Sequence, residues 1–283
     1  MAVTPDPDTY AILEDKWRTF EFCRRHAIPT PHTELLDLEG PPPEFPCFLK
    51  IASGTSGGRG VWRVQGAQEM RGILRRLPRK KILLTQCPAA GRVIVAQVIY
   101  DCGRVTAFFF ARSVNPADLA GTAKNFLRPR RHSASAVSHE RAELKEDEWQ
   151  AVTHIIGVLG TASGYHGMLD VEFILGPKVL LLEVNPRFSG AVHASLSHPG
   201  FLDAYFDLVH GEAEGNVRNF SRGVEMRARF LSFQPVPFFA RNWRQVVHLR
   251  DWERDRGMEV GVKVEADGEV DVKYGACGVE GEK

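Results

Sequence analysis

The run Leu180-Leu181-Leu182-Glu183-Val184-Asn185-Pro186-Arg187 decides how this chain is read. Three leucines give way to a carboxylate, an amide and a guanidinium at every second position, and a proline ends the ladder. Upstream, Val171-Glu172-Phe173-Ile174-Leu175 has the same strand character, with Glu172 set among apolar neighbours. Gly176-Pro177 separates the two runs and predicts a hairpin. Taken as a two-residue turn, it puts Glu172 opposite Leu181 and diagonal to Glu183. Strand alternation then gives Leu181, Glu183 and Asn185 one face, and Glu172 joins them on it.

Carboxylate and amide oxygens are hard ligands, suited to magnesium, with manganese as the alternative. Magnesium keeps part of its shell for water and substrate phosphates, so two carboxylates and an amide suffice as protein ligands. Arg187 carries a permanent charge that can clamp a transferring phosphoryl group or a developing oxyanion. Taken singly, each of these residues is also what a solvated sheet face carries. Four together beside a strongly apolar run point to a site.

The rest of the chain bounds what that site serves. The 283 residues carry 36 basic and 35 acidic side chains, a formal charge of +1. So balanced a chain has no global pull toward nucleic acid or an anionic membrane. The five cysteines are scattered without C-x-x-C spacing, which fits a reducing compartment. The first ten residues have neither a basic nor an apolar leader segment, so the expected location is cytoplasmic. No apolar stretch is long enough to span a bilayer.

Apolar periodicity predicts a helix over 9–26, ended by Ile28-Pro29-Thr30-Pro31. Strands are predicted over 45–52 and 61–64, joined by a loop with four glycines in the seven positions 54–60. A helix over 67–77, strands over 82–86, 92–100 and 104–113, a polar loop over 115–138 and a helix over 140–159 follow. The carboxylate hairpin spans 168–184, and a last helix covers 201–210.

These segments, in this order, resemble the ATP-grasp superfamily, in particular its biotin carboxylase and carbamoyl phosphate synthetase-like branch. The signature is Leu180 to Arg187, and the resemblance assigns two magnesium ions to Glu172, Glu183 and Asn185 and stabilisation of the reacting intermediate to Arg187. Asp15-Lys16 is similar to the family's opening segment, whose lysine approaches the ATP phosphates. Phe48-Leu49-Lys50 followed by Ser53-Gly54-Thr55-Ser56-Gly57-Gly58 resembles its phosphate-binding lysine and glycine flap. Glycines let backbone amides wrap phosphate oxygens, and Lys50 adds a point charge. The loop lacks the features of a Walker, dinucleotide or kinase loop. Gln86, Cys87 and Ala90 fall on the hinge that holds adenine, although the family commonly has glutamate where Cys87 stands.

The resemblance implies an α+β fold in which two α+β lobes clamp ATP, with a mostly antiparallel sheet in the C-terminal lobe. The expected divisions are a helical segment over 1–44, a lid over 45–85, the metal-bearing lobe over 86–215 and an extension over 216–283. Most relatives carry a further domain before the opening segment, which is short here. Another subunit or the C-terminal extension is expected to supply its surface, or the lineage is trimmed and its substrate small; a homo-oligomer is a further expectation. The implied reaction is ligation: Mg-ATP activates a carboxylate as an acyl phosphate, an amine displaces phosphate, and ADP and phosphate leave. Arg187 and Lys50 are the catalytic residues in this reading, and Arg112, Lys124, Arg128, Ser189 and His193 are substrate candidates. An ATP-grasp kinase with a small acceptor, or a non-catalytic ATP-binding regulator, would carry the same motifs.

Overall fold

In the computed structural model the carboxylate hairpin forms one edge of the largest sheet. The structure describes residues 3–55, 60–78, 81–113, 137–187, 199–213, 215–220, 227–230, 259–264 and 270–275. Residues 1–230 make one compact unit and 231–283 a second, of which the antiparallel pair Glu259–Val264 and Val270–Gly275 is described.

The chain opens with α1 (Pro7–Glu14) and α2 (Lys16–Arg25). The single helix expected over 9–26 is thus two. Asp15 is extended between them, at φ −89° and ψ 119°, and its side chain accepts from the Arg18 N–H at 3.0 Å. Aspartate is a strong N-cap, and this local bond outweighs the continuous apolar period. The break puts Lys16 at the first turn of α2, where its N–H donates to the Ala52 carbonyl at 2.8 Å.

A four-stranded sheet follows, built from β1 (Thr33–Leu35), β2 (Cys47–Ile51), β3 (Val61–Val64) and β4 (Leu83–Gln86) in the order β1-β4-β2-β3. Between β3 and β4 runs α3 (Ala67–Leu74). Cys47, Leu49, Ile51, Val64 and Met70 fill the core on one side. Phe48 and Lys50 alternate to the other. The three-residue strand β1 escapes the sequence pattern because it is too short to show a period.

The main sheet comprises β5 (Arg92–Asp101), β6 (Arg104–Ser113), β7 (Val137–Arg141), β8 (Gly167–Leu175), β9 (Val179–Asn185), β10 (Arg218–Asn219) and β11 (Arg227–Phe230). Its order is β11-β7-β6-β5-β8-β9, with β10 pairing parallel to β6 and every other pairing antiparallel. Helix α4 (Glu146–Ser163) covers one face. Its Val152, Ile155, Ile156 and Leu159 pack on Ala96, Val98, Phe108, Phe110, Val171 and Phe173. It starts later than the expected residue 140 because 137–141 form a strand, of which 139–141 pair with β6 and 137–140 with β11. On the opposite face, α5 (Pro199–His210) seats Phe201, Ala204 and Leu208 against Ile99, Ala107, Phe109 and Met168. Among the described residues no helix is long and apolar enough to cross a membrane.

The β5–β6 turn meets α4 through two glycines. A Cβ on Gly160 would collide with the Tyr100 ring and come within 2.5 Å of the Gly103 carbonyl oxygen. Neither neighbour can retreat, because the Tyr100 hydroxyl donates to the Ile156 carbonyl at 2.9 Å and Gly103 is held by Tyr165. Gly160→Ala is expected to lose about 1–3 kcal/mol through overpacking despite alanine's better helix propensity. Urea denaturation checks this, and an unchanged midpoint would mean that the contact relaxes freely.

Candidate active site

The two sheets present their charged faces to each other around four side chains. Lys50 projects from β2, Lys16 from α2, and Glu172 and Glu183 from β8 and β9. The Lys16 ammonium lies 3.1 Å from the Glu183 carboxylate, with both side chains largely shielded. Lys50 is only 5% exposed. Burial pulls its ammonium down to about 8, Lys16 adds to the shift, and Glu183 and Glu172 oppose it. Glu172 is pushed well above the usual carboxylate range by burial and by the charges of Glu183 and Asp170, against the opposing pull of Lys50 and Lys16.

Two irregularities in the β8–β9 hairpin set the carboxylates. Leu175 pairs with Val179, so the loop holds three residues rather than two. A bulge then lets Phe173 pair with Leu181 while Glu172 pairs with Glu183, leaving Leu182 as the extra residue. Each irregularity shifts the register by one. Together they restore the expected facing of Glu183 and Asn185 and bring Glu183 directly opposite Glu172. Leu181, expected on that face, is fully buried on the other beside Phe173 and Val184.

The same face continues inward. Asp170 pairs with Asn185 on one side and with Gln97 on the other. Asp170 is 1% exposed and Gln97 fully buried, and the two side chains face each other without a hydrogen bond of regular geometry among the described residues. Burial raises the Asp170 carboxyl to about 7, while the Gln97 amide and the Arg187 charge hold it back. Arg187 follows Asn185 in a tight bend, its N–H donating to the Asn185 carbonyl at 2.8 Å and its guanidinium 3.5 Å from the Asn185 side-chain oxygen. Gln97 was not singled out from the sequence. A lone amide inside the apolar run Val93 to Ile99 is the signal that marks it.

The lid loop begins and ends in fixed geometry. Ile51 donates to the Gly60 carbonyl at 2.8 Å, and Gly54 and Gly60 take the left-handed φ values 71° and 73°. Ser53, Gly54 and Thr55 line the loop's first half, while Ser56, Gly57 and Gly58 lie outside the described residues. At the hinge, Gln86 is buried and donates from Nε2 to the Thr33 hydroxyl at 2.9 Å. The Cys87 N–H donates to the His32 carbonyl at 2.9 Å, and Ala90 is exposed. Arg112 is exposed and by strand alternation shares the α4-side face with Phe108 and Phe110, opposite the carboxylates, which tells against the substrate contact expected of it. Lys124, Arg128, Ser189 and His193 lie outside the described residues.

The donor set fits hard divalent cations. Glu172, Glu183 and Asn185 offer only oxygen, and Glu183 already holds a cationic group, the Lys16 ammonium. Burial first, and then the charges of Glu183 and Asp170, raise the Glu172 carboxyl, and a cation bound beside it would favour its charged form.

A model of the ATP-grasp domain family matches residues 13–191, well over half of the 283. The chain belongs to the ATP-grasp domain family, and its α+β fold is the ATP-grasp fold. Among solved structures, phosphoribosylamine–glycine ligase from Thermotoga maritima aligns at TM-score 0.60 and 15% identity, covering 77% of this chain and 58% of that one. N5-carboxyaminoimidazole synthase from Aspergillus clavatus, in complex with ADP and 5-aminoimidazole ribonucleotide, aligns at TM-score 0.57 and 16% identity, covering 74% and 56%. D-alanine–D-alanine ligase from Bacillus anthracis aligns at 0.55 and 16%, covering 76% and 73%. The chain thus spans less than two thirds of the length of the first two. No curated protein sequence matches it.

Proposed function

We propose that this chain is an ATP-dependent ligase that activates a carboxylate as its acyl phosphate and joins it to an amine, releasing ADP and phosphate. The observation that carries this reading is the shielded quartet of Lys16, Lys50, Glu172 and Glu183 where the lid sheet faces the main sheet. Two cations and two carboxylates held together and largely out of water are an arrangement for binding a polyphosphate with its metal.

Glu172, Glu183 and Asn185 would hold magnesium, which when bound offsets charge on the phosphate oxygens. Lys16 exchanges its contact with Glu183 for a phosphate oxygen, and Lys50 meets a second oxygen from the lid side. Backbone amides of Gly54 and Thr55 would meet the phosphates. Arg187 balances the charge that develops at the attacked carbonyl. That the aligned ligases share the fold adds to this reading without naming the substrate.

An ADP-release screen over carboxylic acids crossed with amines and amino acids tests it. Turnover that needs both a carboxylate and an amine is the expected result. ADP release with a stable phosphorylated product and no amine would identify a kinase instead, and AMP release would contradict the proposed chemistry.

A further inference from the structure

We propose that the β5–β6 turn carries a second metal site, specific for a borderline transition ion of the zinc class and formed by Asp101, Cys102 and His166. The three ligand atoms lie within 4.8 Å of one another. Cys102 Sγ is 3.7 Å from His166 Nδ1, and Asp101 Oδ1 is 3.4 Å from the same nitrogen. Around a tetrahedral zinc ion, metal–sulfur bonds of about 2.3 Å and metal–nitrogen and metal–oxygen bonds of about 2.1 Å set these edges at about 3.6 and about 3.4 Å. The two separations from His166 Nδ1 are close to those edges.

Cys102 is an unexpected residue at its position. Asp101 pairs with Arg104, so Cys102 and Gly103 form a two-residue hairpin turn with φ values of 46° and 87°. Asparagine, aspartate or glycine is the ordinary first residue of such a turn, and cysteine gains no local hydrogen bond in return for the left-handed backbone. What the conformation does is aim the thiol at His166.

The surrounding bonds hold the donors in place. The Gly103 N–H donates to the Tyr165 carbonyl at 2.7 Å, tying the turn to the residue before His166. Arg104 donates to Asp101 Oδ2 at 2.9 Å, which orients the carboxylate and leaves Oδ1 toward the cluster. The Cys102 N–H donates to His166 Nδ1 at 3.2 Å, which keeps the proton off that nitrogen; a metal at Nδ1 takes the place of this long contact. Sγ and Oδ1 face one and the same nitrogen, so the imidazole cannot pass a proton between them as in a nucleophilic triad.

Thiolate, imidazole and a single carboxylate favour zinc over magnesium. Cys102 is exposed, which leaves a fourth position for water. Binding converts the Cys102 thiol to thiolate, its proton goes to solvent, and no electron is transferred.

The test is zinc titration of the full chain against a chromophoric chelator, with excess magnesium to occupy hard-ligand sites. One zinc ion per chain is expected. Cys102→Asn, which suits the left-handed turn, and His166→Gln should each weaken it by about tenfold or more, since even an outer partner's loss costs about 10–100-fold. Cobalt should give a thiolate-to-metal charge-transfer band that Cys102→Asn removes, and Glu183→Gln should leave zinc binding as it was. Unchanged affinity in both ligand variants, a cobalt complex without the thiolate band, or loss of zinc in Glu183→Gln would overturn the assignment.

Discussion

Glu183→Gln is expected to reduce magnesium-dependent ADP formation by about 10²–10³-fold while leaving the far-ultraviolet dichroism unchanged. The substitution keeps the shape of the side chain and removes the charge that would hold the metal and now holds Lys16 at 3.1 Å. Lys16 then lacks its anionic partner, so the loss falls on two elements of the site together. Raising magnesium should restore the rate only in part, because mass action refills a weakened metal site but does not return the anionic partner of Lys16. Single-turnover measurement of ADP release decides the matter. A rate within a factor of a few of the parent would remove Glu183 from the site and with it the proposed metal position.

Lys50→Met should weaken ATP binding by about 10–100-fold, the equivalent of one charge-assisted hydrogen bond of about 1.5–3 kcal/mol. Methionine retains the apolar stem that fills the space beneath the lid and deletes only the ammonium. Lys50 is already pulled down to about 8, chiefly by burial. Its charge is therefore held at a cost, and the polyphosphate is the ligand that makes the charged form favourable. Affinity for ATP in the parent should accordingly fall as pH rises through about 8, and this dependence should vanish in the variant. Calorimetry at several pH values reads both effects. An unaltered dissociation constant would show that Lys50 is structural.

Much of this site was legible because its determinants are local. Glu183, Asn185 and Arg187 sit in one strand and its exit, and Lys50 sits where an apolar strand meets a glycine loop. The partnership of Lys16 with Glu183 was not legible, since it depends on Asp15 breaking a helix that apolar periodicity would have continued. Nor was Gln97, whose meaning comes from a cross-strand neighbour 73 positions away in number, Asp170. The failure at Arg112 has the same origin. Its chemistry suited a substrate contact, but only the pairing of β6 with β5 and β7 reveals which side of the sheet it occupies. Residue type predicts what a side chain can do, and long-range register decides where it can do it.

The unpaired Leu182 has a consequence for how such a hairpin can vary in length. One surplus residue in the loop and another at the bulge act as a parity pair: either alone would turn Glu183 and Asn185 inward against α4. Both together, or neither, keep them in the cleft. The site is therefore indifferent to the hairpin's absolute length and sensitive to whether that length is odd or even.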